Sequence, residues 1–91
     1  MLFAFYCLDK KDHSQVRAEN RETHVAYLKS FSEKVVTAGP LLSDDGNGMV
    51  GSLIILDLAD RKEAEAFSEG DPYSKAGLFE SVEIRPWKKV F

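Results

Sequence analysis

A histidine on the inward face of a helix is the first residue of this chain with chemistry to offer, because an imidazole can take up or release a proton near neutral pH. His24 lies in "SQVRAENRETHVAYLKSFSEK", a stretch with a helical period from about Ser14 to Lys34. At about 100° per residue, Glu19, Glu22, Ala26, Lys29, Ser30 and Glu33 share a solvent sector. Val16, Tyr27, Leu28, Phe31 and Val35 lie inward, with His24 near their centre. Toward the N-terminus the same inward surface carries Arg17, Asn20 and Arg21. Unpaired buried charge is costly, so this end of the helix is expected to overhang a solvent-accessible polar cleft, with His24 at its floor and Arg17, Arg21 or both along its wall. A lone inward histidine is also a common core residue bonded to backbone, and either arginine can pair with a surface carboxylate.

The stretch "SEGDPYSKAGLF" supplies a carboxylate, Asp71, between what reads as a short helix and the last strand. After Gly70, an aspartate followed by Pro72 has the form of an N-cap with proline at the first helical position, starting a short turn through Ser74 or Ala76. A cap uses one carboxylate oxygen, which leaves the other free for a partner such as His24. Asp44 and Asp45 are the next carboxylates to consider. Ser52 follows Gly51 in an apolar run and could reach the cleft as a hydrogen-bond donor, but no Gly-x-Ser-x-Gly turn is present to make it a nucleophile. His13 sits in a polar loop and reads as solvated.

The elements that must position these residues follow from local patterns. Leu2 to Leu8 is apolar at both parities, as in a central strand covered on both faces. The first helix follows, capped by Ser14 or Asp12. "VVTAGPLLS" reads as a second strand with a Gly-Pro break, "DDGNG" as a hairpin turn, and Met49 to Leu58 as a third strand, again apolar on both sides. Asp60 with Glu63 forms a candidate capping box for a helix through about Glu69 that buries Ala64 and Phe67, and "LFESVEIRPW" alternates as a fourth strand. The order is β-α-β-β-α-β, the ferredoxin-like α+β arrangement, in which the first and third strands are central. Two helices cover one sheet face only. The apolar second face of strands one and three predicts a homodimer packed sheet to sheet.

Composition narrows the function classes. With 91 residues the chain supports a single core and one domain. Twelve basic residues scattered among 15 acidic ones, net −3, leave no basic stripe for nucleic acid. The longest apolar runs fall far short of the roughly 20 residues of a membrane span, and the first lacks the basic flank and cleavage site of a signal peptide. The lone Cys7 reads as a buried structural thiol, cannot form an internal disulfide and, with two histidines at no ligand-like spacing, gives no zinc signature. A cytoplasmic protein without metal or cofactor is expected.

Taken together, "MLFAFYCLDK", "RETHVAYL", "TAGPLLSDDG", "GSLIILD" and "EGDPYSKAGLFESVEIRPWKKVF" resemble the YciI-like (YCII-related) family of small ferredoxin-like proteins, over essentially the whole chain as one domain, residues 1–91. The resemblance implies a dimeric α+β barrel and a cleft in which a helical histidine pairs with an aspartate. Those positions match His24 and Asp71 here. Arg17, Arg21, Ser52 and Tyr73 of the Asp-Pro-Tyr sequence are the expected substrate contacts. Members similar to this family include an enzyme that eliminates chloride from a chlorinated hydroxyhydroquinone, and the wider fold group includes muconolactone isomerases. Three functions are therefore weighed. The first is a cofactor-independent enzyme using His24 and Asp71 on a small anionic or phenolic substrate, by elimination, isomerisation or lactone chemistry. The second is a small-molecule-binding or regulatory module with the same cleft and no catalysis, and the third is a structural protein in which His24 is bonded to backbone.

Overall fold

Strands apolar at both parities take the middle of the sheet in the computed structural model, which describes residues 1–91. The elements run β1 (Leu2–Asp9), α1 (Ser14–Ser30), β2 (Val35–Leu42), β3 (Met49–Asp57), α2 (Arg61–Gly70), α3 (Pro72–Lys75) and β4 (Phe79–Trp87). The four strands form one antiparallel sheet in the order β2-β3-β1-β4. This is a small α+β fold with the expected element order plus the short α3. No helix is long and apolar enough to cross a membrane.

Register decides what each face carries. Phe3 lies opposite Leu56, and Phe5 opposite both Ile54 and Ile84. These side chains join Cys7, Leu58, Ala64 and Phe67 in the buried core, with Tyr27, Leu28 and Phe31 of α1 packed against it. α1 and α2 thus lie on the face of odd-numbered β1 residues. On the other face the rows Gly39–Leu53–Tyr6–Glu83 and Leu41–Gly51–Leu8–Ser81 run across the sheet, and Tyr6, Leu8 and Leu53 are exposed. The Gly39-Pro40 step does not interrupt β2, because an edge strand tolerates a residue without an N–H.

Four local expectations are corrected. The first helix ends at Ser30 rather than near Lys34: the chain tightens into turns, with Lys34 N and Val35 N both bonding the Phe31 carbonyl before β2 begins. Neither Ser14 nor Asp12 caps it. Asp12 adopts a left-handed φ of 60°, which puts His13 at the N-cap position with no side-chain cap. His13 is half-buried rather than solvated, its Nδ1 lying 2.7 Å from the Lys11 carbonyl oxygen. At α2, Asp60 Oδ1 accepts from Glu63 N at 2.9 Å as expected, but the Glu63 carboxylate turns to Lys34 instead of closing the box.

Candidate functional site

α1 and the α2–α3 junction bring the two central side chains together. His24, on the inward face of α1, is buried, and so is Asp71. Asp71 has extended backbone between the two helices and caps α3 by accepting from Tyr73 N at 2.9 Å, with Pro72 at the first helical position. The same oxygen, Oδ1, lies 2.8 Å from His24 Nδ1. The expected division of labour, one oxygen for the cap and the other for the histidine, is therefore corrected: Oδ1 serves both. A carboxylate accepts and does not donate, so the shared proton sits on Nδ1 and the lone pair on Nε2. Nε2 makes no hydrogen bond within the chain and is open to the adjoining cavity.

Tyr73 completes this wall. Its ring stacks on the His24 ring with centroids 4.0 Å apart and an interplanar angle of 16°, and the Arg17 guanidinium carbon lies 4.6 Å from the tyrosine centroid. Burial raises the Tyr73 pKa above that of a free phenol, against the opposing pull of Arg17 and Arg21, so the ring stands as a neutral phenol.

The two arginines differ in a way that periodicity alone does not reveal. Arg17 is buried, and its guanidinium forms a two-pronged bond with Asp9, Nε to Oδ2 at 2.7 Å and Nη2 to Oδ1 at 2.9 Å, while Nη2 also donates to Ser52 Oγ at 3.0 Å. Burial works against the Arg17 charge, but the hydrogen bonds and charge of Asp9 more than offset it and hold the pKa above its ordinary value. Arg21, one turn on, is exposed and forms no ion pair. Both line the cavity, yet only Arg21 keeps an uncompensated charge.

The cavity has a volume of about 190 Å³, with Leu28, Ile54, Pro40 and Met49 supplying its apolar side and Arg17, Arg21, His24, Ser52 and Tyr73 its polar side. A benzene ring occupies a site on the order of 150 Å³, so the space suits a single substituted ring. Asp71 stands behind His24 rather than in the lining. Cys7, the sheet partner of Ser52, is buried beneath, where burial first and the Asp71 charge second push its thiol up to about 12. No cluster of three or more His, Cys, Asp or Glu side chains is placed to hold a metal ion.

Asp9 was absent from the expected site, although its odd parity with Phe3, Phe5 and Cys7 on β1 points it to the helix side. Asp45 instead organises the β2–β3 hairpin, where Oδ1 accepts from Ser43 Oγ at 2.7 Å and Asn47 N at 2.9 Å; Asp44, beside it, is exposed.

A family model, the YCII-related domain, matches residues 1–88. The chain belongs to the YCII-related family. The YciI proteins of Escherichia coli and Shigella flexneri are each 36% identical to it over the full length of both chains. Among solved structures, this family member is similar to the 5-chloro-2-hydroxyhydroquinone dehydrochlorinase TftG of Burkholderia phenoliruptrix, in complex with 2,5-dihydroxybenzoquinone, with a TM-score of 0.90 and 37% identity over 97% of this chain and 94% of that one. A Pseudomonas aeruginosa protein, PA3566, at 9% identity and a TM-score of 0.58, shares the fold alone.

Proposed function

We propose that this chain is a small cofactor-independent enzyme in which His24, oriented by Asp71, moves protons on a small phenolic or anionic ring. The observation that carries the reading is the 2.8 Å bond between His24 Nδ1 and Asp71 Oδ1 at the wall of a one-ring cavity. The bond selects the tautomer with a free Nε2 base, and the carboxylate steadies the imidazolium that forms when Nε2 takes a proton. Arg21 holds the substrate's negative oxygen, Arg17 Nη1 and the Ser52 hydroxyl offer further donors, and Tyr73 keeps the imidazole plane fixed.

The likeness to TftG supports an elimination. In the keto tautomer of a chlorinated hydroxyhydroquinone, loss of a hydroxyl proton to His24 lets the electron pair run through the ring and expel chloride. HCl leaves, a hydroxyquinone remains, and the step needs neither oxidant nor reductant. The apolar outer sheet face supports a dimer packed through Tyr6, Leu8 and Leu53, and a single buried thiol agrees with a reducing, cytoplasmic setting.

Chloride release from 5-chloro-2-hydroxyhydroquinone and isomerisation of small unsaturated lactones should be assayed with the wild type, His24→Ala and Asp71→Asn. Turnover by the wild type is expected to fall by roughly 10²–10⁴-fold in His24→Ala, the usual range for a positioned general acid or base. Tight binding of the ring compounds without turnover would make the cleft a binding module. Undiminished turnover in His24→Ala would end the proposed mechanism.

A further inference from the structure

The candidate pair is split between two elements, His24 on α1 and Asp71 at the α2–α3 junction, and something must hold those elements at hydrogen-bonding distance. Tyr27 follows His24 by one turn on the same side of α1. Its hydroxyl donates to the Phe67 carbonyl at 2.9 Å. That carbonyl is an orphan of the end of α2: the Asp71 N–H, which would reach it in a continued α-helix, bonds Ser68 O at 3.3 Å instead. Tyr27 therefore ties α1 to the turn immediately before Asp71.

The tie works only because residue 70 has no side chain. A Cβ on Gly70 would lie 2.4 Å from Tyr27 Oη and 3.2 Å from Cζ. Space, not backbone conformation, is what this glycine supplies. Its φ lies outside the left-handed region, so alanine could adopt the backbone here and, on helix propensity alone, would stabilise the turn.

We infer that Tyr27 and Gly70 are positioning residues that lock the Asp71 carboxylate onto His24 Nδ1. The lock rests on the proposed reading only for its catalytic consequence; its geometry stands without it. The rest of the surroundings agree. The Tyr27 ring packs on Phe67 with centroids 5.1 Å apart and on Phe31 at 5.1 Å, so Tyr27→Phe keeps that packing and removes the tie alone. Burial and the nearby Asp71 charge also raise the Tyr27 pKa, which keeps the hydroxyl a donor.

The test reads the His24 ring directly. In ¹⁵N-histidine-labelled protein, with His13→Gln to leave one ring, NMR reports the tautomer and the exchange rate of the Nδ1 proton. Tyr27→Phe is expected to speed that exchange by roughly 3- to 10-fold, the fold-change set by one hydrogen bond. Gly70→Ala is expected to lose the protected Nδ1–H signal, and the double variant Tyr27→Phe/Gly70→Ala to regain it in part, since the nearest clashing atom is gone. Unchanged exchange in Tyr27→Phe, or a Gly70→Ala ring indistinguishable from wild type, would overturn the inference. So would equal loss in Gly70→Ala and the double variant. Should Gly70→Ala fail to fold, the exchange rate in Tyr27→Phe alone decides. None of these readouts uses turnover, so a wild type that acts on no substrate would remove the enzymatic reading and leave this result intact.

Discussion

Arg17→Ala should be among the most damaging single substitutions in this chain, and damaging to folding before it affects any ligand. The Arg17 and Asp9 side chains are each 7% exposed, and the guanidinium makes three hydrogen bonds, two to Asp9 and one to Ser52. Deleting it leaves the Asp9 carboxylate desolvated with no countercharge, a change that typically costs about 3–5 kcal/mol. A domain of 91 residues has a total stability of about 5–14 kcal/mol at ~0.05–0.15 kcal/mol per residue, so roughly a fifth of it or more would be lost. Urea unfolding followed by circular dichroism measures this: with a slope of about 1 kcal/mol per molar for a small domain, the midpoint should fall by roughly 3 M or the protein should be unfolded outright. Arg17→Met/Asp9→Leu removes both charges and should recover at least about 2 kcal/mol of the loss, because an apolar pair of similar size needs no compensation. A cost for Arg17→Ala below about 1 kcal/mol, or a double variant no better than the single one, would refute this reasoning.

Arg21→Ala should behave oppositely, changing stability by no more than about 0.5 kcal/mol while weakening a monoanionic ring such as benzoate roughly tenfold by titration calorimetry, since one charge-assisted donor is lost. The raised pKa values of Cys7, Tyr27 and Tyr73 set an alkaline limit. For Cys7 the unfolded chain loses its proton from about pH 9 and the folded chain only near 12, so this stability is whole below pH 9 and falls above it, by up to ~1.4 kcal/mol per pH unit; Cys7→Ala should flatten the first part of that fall in denaturation curves. Sedimentation at micromolar concentration should give about twice the chain mass of 10.2 kDa, and Leu53→Lys on the open sheet face should return it to monomer; a wild-type monomer would contradict the sheet-to-sheet packing.

The fold was legible because its signals are local and redundant. Two strands apolar at both parities, the Asp-Asp-Gly-Asn-Gly turn signal between strands two and three and the Asp60 cap each point to the same order. What misled was chemistry that competes over a few residues. Asp12 has the side chain of a cap, but the chain needs a left-handed turn there, and aspartate is among the residues that tolerate one. The helical period runs through Phe31 to Lys34, yet Val35 must enter the sheet opposite Leu56, and the strand register prevails over the last helical turn.

The site was legible to a different depth on its two sides. Helical period alone brings His24, Arg17 and Arg21 to one end of one face, because the three sit on the same element. It cannot tell which arginine is neutralised, since that depends on Asp9 in another element, and an ion pair joining β1 to α1 leaves no spacing signature. Asp71 shows the same limit from the other direction. Its Asp-Pro context fully accounts for a cap, and the cap bond is present at 2.9 Å, so nothing local demands a second role. The His24 bond forms where Tyr27 reaches the end of α2 and Gly70 leaves room for it. Those two residues read in sequence as a core aromatic and a helix terminator, and their joint effect exists only once the helices are packed. A substitution at Gly70 that improves helix propensity should therefore loosen the candidate site, which sets local preference and tertiary geometry against each other at one position.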